Sequence, residues 1–528
     1  MAQLTTAGPV EHYRAYKPRP FAKGERDRTT ILFGGLTWRH EALLQAVFDN
    51  LGYKAMPLPN IARKDLDTGK ELVDTGACCP TTFTTGNLIN FIQSESSRIG
   101  KEETKQKYLF LTAGNCGACR FGQYHSSYEM ALRNIGFEDF RIFLMAQDGL
   151  DQGAMGGGGL EITLPFTVGA VWAVLLGDLL TDLEYQIRPY EIIPGNTDQI
   201  VRENIDYLYE VFKERPIKGK KWGSFAWHLT TSYFTQALRE VKKRFEAIEV
   251  DRLRVKPKVT ITGEFWLQTH EGEGNYNIKK WLEQEGAEVI PPSIAVWLDY
   301  WMKWYLIELE QRIGMDPYVR LKMAGVRGLQ AIYRWNYNRL RRAVGSLPYE
   351  LPYQDELQVL AAPYYHYHLS GGEGFMLVGK ALYYHLHRKS HMICELSPYS
   401  CMPNTMSIGS MAAVQGKYPD LLYAPIEIKG DAEVHALSRC QMILTEAKKR
   451  ATREFEEILE ETGMTVDKAR DYEKRYPELR RATYRVPHKG VAGTAANYVR
   501  HLAARKASRW AREILSVGTP VFRGDEVR

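Results

Sequence analysis

Apolar and polar positions follow two rhythms along the chain. TTILFGGL (Thr29 to Leu36) is a nearly continuous apolar run, as expected of a strand buried on both faces. WRHEALLQAVFDNLG (Trp38 to Gly52) repeats its apolar residues every three or four positions and stops at Gly52, as an amphipathic helix does, and YKAMPL reads as a second strand. The pattern continues through a helix in GNLINFIQS, a strand at Lys107 to Ala113, a helix at Phe121 to Gly136 and a strand at Phe140 to Ala146. Strands and helices alternating in this way predict a mostly parallel sheet covered on both faces.

A second α/β region opens with PKVTITGEFW (Pro257 to Trp266), followed by a Gly-rich loop, a helix in YNIKKWLEQEG and a strand at Ala287 to Pro292. Long aromatic helices, Ile294 to Ile313 and Pro317 to about Val344, interrupt it. It resumes with a strand at His391 to Leu396, a helix near Met406 to Gln415, a strand at Asp420 to Ile428 and a helix from Glu433 to about Ala451. The expected organisation is an extension over 1–29, a first α/β lobe over 30–160, a helical segment over 161–255, a second α/β lobe over 256–445 with a helical insertion near 294–345, and a basic helical tail over 446–528. The glycine run Gly156 to Gly159 suits a hinge or a close backbone approach.

Composition narrows the class. The chain has 528 residues, 44% hydrophobic and 25% charged, which is globular and too large for one core. The first 440 residues carry 50 basic and 50 acidic groups, so the whole net charge of +6 lies in the last 88. That tail, with VRHLAARKASRWAREIL, reads as a solvated helix with a packed apolar stripe. No nucleic-acid motif accompanies it, so nucleic acid is not an expected partner. The first 21 residues have no apolar core of a leader, and the most apolar stretch, Thr167 to Leu180, is short for a bilayer and contains Asp178. A soluble cytoplasmic protein is therefore expected, without a membrane partner.

Seven cysteines occur, and six fall in three short segments: Cys78 and Cys79, Cys116 and Cys119, Cys394 and Cys401. Each segment is expected as a loop at a strand end or helix start, the edge where open α/β sheets bind ligands and where helix amides favour anionic thiolates. Alone, Cys116-Gly117-Ala118-Cys119 fits zinc, a redox dithiol or a cluster. Three loops offering two thiolates each favour an iron–sulfur centre bridging the lobes. Cys440, mid-helix in ALSRCQMILTEA, is expected only to pack.

Other motifs are weaker. GGEGFMLVGKAL places Gly374, Gly379 and Lys380 at P-loop spacing, but Ala381 stands where a Mg²⁺-binding hydroxyl is needed, so ATP is expected on another protein. His366, His368, His385, His387 and His391 interleave with tyrosines and read as incidental to aromatic helix faces; in a functional site they would donate protons. TGEFWLQTHEGEGNYN carries Glu264, His270, Glu271 and Glu273 in a strand-to-helix loop, either a substrate contact or a solvated turn.

The segments ACCPTTFTTGN, NCGACRFGQYHSSYEMALRNIGF, GEFWLQTHEGEGNYNIKKWLEQEGAEV and the run from CELSPYSCMPNT through Ala451 resemble the acyl-CoA dehydratase activase-related proteins. These are relatives of the 2-hydroxyacyl-CoA dehydratase, benzoyl-CoA reductase and double-cubane cluster superfamily. The likeness covers roughly residues 30 to 450. It implies two flavodoxin-like lobes holding an iron–sulfur cluster, fed low-potential electrons by a separate cluster-carrying ATPase, the activase. A homo- or hetero-oligomer is a further expectation, with the oligomeric state left open by the sequence. By the same resemblance Cys79, Cys119 and Cys401 match the cluster-ligand positions. Cys78, Cys116 and Cys394 would then form a second set, so the cofactor is a 4Fe–4S cluster or an 8Fe–9S double cubane. Cys78 and Cys79, being adjacent, are poorly placed to serve one cluster together. The expected activity is reduction or reductive dehydration of a small or CoA-linked substrate, with an electron-relay or scaffold subunit and a zinc-stabilised binding protein as the alternatives. The resemblance supplies no catalytic residue.

Overall fold

The computed structural model describes residues 19–114, 119–146, 149–150, 158–216, 221–369 and 371–517. The first lobe comprises β1 (Thr30–Phe33), α1 (Trp38–Asn50), β2 (Lys54–Pro57), α2 (Arg63–Leu72), α3 (Cys79–Ile99), α4 (Lys101–Lys107), β3 (Tyr108–Ala113), α5 (Tyr124–Asn134), β4 (Arg141–Ala146) and β5 (Gly149–Leu150). The strand order is β2-β1-β3-β4-β5, parallel except for the short β5. Helices α6 (Leu164–Ile187), α7 (Asn196–Lys213), α8 (Lys221–Thr230) and α9 (Tyr233–Phe245) follow.

The second lobe contains β6 (Lys258–Gly263), α10 (Phe265–Thr269), α11 (Ile278–Gln284), β7 (Glu288–Ile290), α12 (Ile294–Gln311), α13 (Val319–Ala343), α14 (Gln354–Ala361), α15 (Phe375–Leu386), β8 (Met392–Pro398), α16 (Met402–Lys417) and β9 (Leu422–Ile428). Its order, β7-β6-β8-β9, is wholly parallel and repeats the first lobe's 2-1-3-4 winding. Both lobes are flavodoxin-like. Their strand order reverses between β1 and β3 and between β6 and β8, and in such sheets the crevice at the carboxyl ends of those strands is where ligands bind.

The chain ends in α17 (Glu433–Thr462), α18 (Val466–Arg475) and α19 (Thr494–Val517). The expected boundary at 445 falls inside α17, so the second lobe and the tail share one helix of 30 residues. Leu444 and Ala447 of that helix lie in the second lobe's core, while Phe455 and Ile458 join Tyr498, Val499 and Leu502 in a separate core. The apolar stripe thus continues across the junction. In the tail, Arg500 pairs with Glu461 and Arg505 with Glu478. At the other end, Phe21 packs against Gly159 and the Arg26 side chain donates to the Gly158 and Gly159 carbonyls, so residues 19–29 lie along the first lobe. Gly156 and Gly157 lie outside the described residues.

Helix α6 is longer than its sequence pattern indicated. With the turn after it, it is long and apolar enough to cross a membrane, but 72% of its most apolar 18-residue window, of mean hydropathy 1.7, is buried in the fold. It lies against α1 of the first lobe and β7 of the second, as a core helix does. Its acids are all partnered. Asp178 accepts from the Ser293 hydroxyl and from the amides of Ile294 and Ala295, capping α12, and it also meets His40 of α1 at 3.1 Å. Asp182 accepts from the Tyr349 amide. Glu184 pairs with Arg39 of α1 and with Arg188.

Arg39 also donates to both oxygens of Glu271 in the second lobe, at 2.9 and 3.0 Å. Burial alone would lower the Arg39 pKa, but the charges of Glu184 and Glu271 outweigh it and raise the value. Replacing Arg39 by Met should therefore leave Glu184 with Arg188 alone and Glu271 with the more distant Lys279, and cost about 2–3 kcal/mol. Urea unfolding of Arg39→Met against the parent chain measures this; a loss under about 1 kcal/mol would show that the ion pairs do not hold the lobes.

Candidate functional site

Each described loop cysteine sits at the start of a helix. Cys78 is the N-cap of α3 and Cys79 its first residue, with Pro80 next, where a missing amide hydrogen is harmless. Cys119 follows β3 and caps the 3₁₀ turn Arg120–Gln123, its sulfur accepting from the Phe121 amide at 3.4 Å. Cys401 follows β8 and caps α16, with its sulfur 3.4 Å from the Asn404 side-chain oxygen. Cys119 and Cys401 thus lie at the carboxyl edges of the two sheets, after the strands flanking each reversal. Cys116 lies outside the described residues.

The adjacent pair divides between two cores. Cys78 belongs to the apolar cluster beneath the first sheet with Leu32, Phe110 and Tyr128, its sulfur 3.1 Å from the Thr81 hydroxyl and 3.2 Å from that of Tyr124. Cys79 belongs to a cluster running from Ile61, Leu66 and Phe83 of the first lobe to Trp266 and Leu267 of the second.

Cys394 corrects its expected place in a loop. It is the third residue of β8, in register with Ile261 and Ala424, fully buried, in one core with Cys440 of α17, whose thiol helps push its pKa up. Four residues of strand, about 13 Å, separate it from the end of β8. The reason is strand alternation: Cys394 and Leu396 face the α17 side, whereas Glu395 meets Tyr423, Ser407 and Asn404.

Two carboxyls that the spacing of cysteines did not reveal complete the site. Glu264 follows β6 and caps α10, accepting from the Leu267 amide at 2.9 Å. Glu373 precedes α15, and its charge is influenced by Glu264 and by the backbone of Phe265, so both acids lie near the start of α10. Each adjoins a glycine that nothing else could replace. Gly263 has φ +122°, and a Cβ there would lie 2.1 Å from the Leu396 carbonyl. Gly374 has φ +51°, with the Tyr300 hydroxyl 2.3 Å from its missing Cβ. The signal was present in sequence as two Gly-Glu pairs, TGEFW and GGEGF, the second obscured by its likeness to a P-loop. Lys380 lies in the second turn of α15, buried and close to Glu373, with its pKa lowered by burial to about 8.

Electrostatics join the thiols to this pair. Burial pushes Cys119 up to about 12, opposed by the Phe121 amide and reinforced by Glu264 and Glu373. Burial likewise raises Cys79, aided by Cys78 and Glu264, and raises Cys401, aided by Glu264, Glu373 and Cys119. Burial pushes Glu264 upward, and Glu373 rises through burial and the charge of Glu264. The loop bearing Glu264 is not a solvated turn: His270 stacks on Trp266 at 4.7 Å, and Glu271, which burial would raise, is brought to about 2 by Arg39 and Lys279. The five histidines disperse, with His385 toward Asp420, His387 toward Glu356, His391 toward Glu454, and His366 and His368 together in an exposed loop.

Among the described residues, no three His, Cys, Asp or Glu side chains stand close enough to hold a metal ion as folded. The donor chemistry nevertheless fits an iron–sulfur cluster, because Cys79, Cys119 and Cys401 are soft donors from three segments at helix starts in apolar surroundings. No protein-family model and no curated protein matches this chain.

The raised carboxyls carry a sign. The folded chain holds protons on Glu264 and Glu373 that the unfolded chain has lost above its carboxylate pKa of about 4.5. Their contribution is full below that value and fades as pH rises through neutrality, at most about 1.4 kcal/mol per pH unit for each group. Glu373→Gln in metal-free protein should lose less stability between pH 5 and 8 than the parent; parallel urea midpoints across that range would contradict it.

Proposed function

We propose that this chain is a cytoplasmic iron–sulfur protein that takes low-potential electrons from a separate ATP-dependent activase and uses them to reduce, or reductively dehydrate, a small or CoA-linked substrate where the lobes meet. What supports the reading is that Cys79 and Cys119 of the first lobe and Cys401 of the second, each at a helix start, all feel the charge of the buried Glu264, and Cys119 and Cys401 that of Glu373 as well. Those three cysteines would hold the cluster, which when bound supplies one-electron chemistry. Cys116 adjoins them in sequence.

A 4Fe–4S cluster is favoured over a double cubane, since Cys394 lies within β8 beside Cys440 and Cys78 faces the first lobe's core. The surrounding residues have their own tasks. Apolar neighbours such as Phe83 and Trp266 exclude water, which makes a low potential easier to sustain. The Glu264 and Glu373 carboxyls, driven toward their neutral forms, keep protons close to a substrate gaining electrons. ATP binding is assigned to the partner, since Lys380 is inside a helix and Ala381 offers no hydroxyl.

Anaerobic purification should yield a brown protein with iron and acid-labile sulfide. Cys79→Ser, Cys119→Ser and Cys401→Ser should each lose or rearrange the cluster in iron, sulfide and EPR measurements. Cys440→Ser should keep it and cost about 1–2 kcal/mol in packing. Stoichiometric zinc without iron, or equal iron loss from all four variants, would refute the reading.

A further inference from the structure

A polar cavity opens beside the cysteines. It has a volume of about 130 Å³ and lies between the turn leading into α3 and the 3₁₀ turn leading into α5, lined by Asp74, Gly76, Thr81, Arg120, Gln123 and Ser127. Arg120 directly follows Cys119, and Thr81 touches the Cys78 sulfur. The cavity is thus lined by a residue that touches the Cys78 sulfur and by the residue next to Cys119 in the chain. At about 30 Å³ per water it has room for some four waters, or for a group of comparable size.

Its charges are unequally committed. Asp74, the one acid in the lining, accepts from the Gly76 amide at 2.9 Å. Arg120 is half-buried, its guanidinium lies 3.6 Å from where a Cβ of Gly76 would stand, and it has no hydrogen-bond or ion-pair partner among the described residues. Elsewhere the buried and half-buried arginines are engaged: Arg39, Arg188 and Arg334 with carboxylates, Arg252 with four backbone carbonyls. A planar guanidinium facing a polar cavity, with hydroxyl and amide donors around it, matches the geometry of a carboxylate or a phosphoryl group.

We infer that Arg120 and the cavity around it bind a small oxyanion, the charged group of the substrate, against the first-lobe cysteines. Taken as the substrate-recognition element of the proposed reaction, the inference rests on that reading; as a binding site, it stands on the cavity and the unpaired guanidinium.

The test uses the full-length, metal-free chain, so it does not depend on a cluster or on turnover. Phenylglyoxal modifies accessible arginines, and peptide mass spectrometry reads Arg120 separately from Arg320, an exposed residue of α13 that serves as the control. Acetate or inorganic phosphate should slow labelling of Arg120 severalfold while Arg320 is unchanged, and neutral acetamide should have no effect. Protection by acetate alone identifies a carboxylate, and by phosphate alone a phosphoryl group. Asp74→Asn removes the competing charge and should lower the anion concentration needed for half-protection. Labelling of Arg120 indifferent to both anions, equal protection by acetamide, or an unchanged requirement in Asp74→Asn would overturn the site. Iron-free protein with a protected Arg120 would leave this inference standing while the cluster reading fell, and cluster-bearing protein with an unprotected Arg120 would do the reverse.

Discussion

An acid placed inside an apolar helix must find partners, and the architecture turns on how α6 meets that requirement. Three of its residues, Asp178, Asp182 and Glu184, are buried. Removing such groups from water is costly unless hydrogen bonds or counter-charges replace it. Asp178 is satisfied by the first turn of α12 and by His40, Asp182 by the Tyr349 amide, and Glu184 by Arg39 and Arg188. The partners come from the first lobe, the helical insertion and the segment after α6 itself. Arg39 carries the chain of charges on to Glu271 in the second lobe. The relative placement of the two sheets is thus set by a few directional contacts to one helix, as well as by apolar packing.

That placement turns the carboxyl edges of the sheets toward each other. The ring of Trp266, just after β6, lies against Gly35, just after β1, and the Thr269 hydroxyl reaches the Gly35 carbonyl. Near this contact stand side chains that water would normally keep charged or reactive, and that burial pushes toward their neutral forms: two carboxyls and three thiols. Groups of this kind are rarely retained for stability, since apolar replacements of similar volume are often neutral or better. Their concentration at the strand-order reversals of both sheets is what marks the region for function.

Much of the fold was legible. Short apolar runs such as Thr29 to Phe33 and His391 to Leu396, bounded by turn residues, read as buried strands, and periodic segments such as Trp38 to Asn50 as helices covering a sheet, so the alternation of the two lobes followed from rhythm and length together. The placement of Cys119 and Cys401 at strand ends was legible for the same reason. What could not be read locally were properties that belong to pairs of distant residues. Cys394 lay in a segment already read as a strand, yet its neighbour in space is Cys440, 46 positions later. Glu373 meets the start of α10 more than a hundred residues before it in sequence. Asp178 looked like an interruption in an apolar stretch, because its partners, His40 and the start of α12, lie on other segments.

The cluster of Ile61, Leu66, Cys79 and Phe83 with Trp266 and Leu267 also constrains how the chain comes into being. At a synthesis rate of about 5–20 residues per second, the stretch from Phe83 to Leu267 takes on the order of 10–40 s to emerge. Through most of that interval the first lobe has its sheet but lacks the surface that covers α2 and α3, so apolar side chains and Cys79 face solvent or a chaperone. Newly made chains therefore pass through a stage in which the half-built crevice is open to oxidants and adventitious metals. The speed of translation through that stretch then bears on how much intact protein a cell obtains.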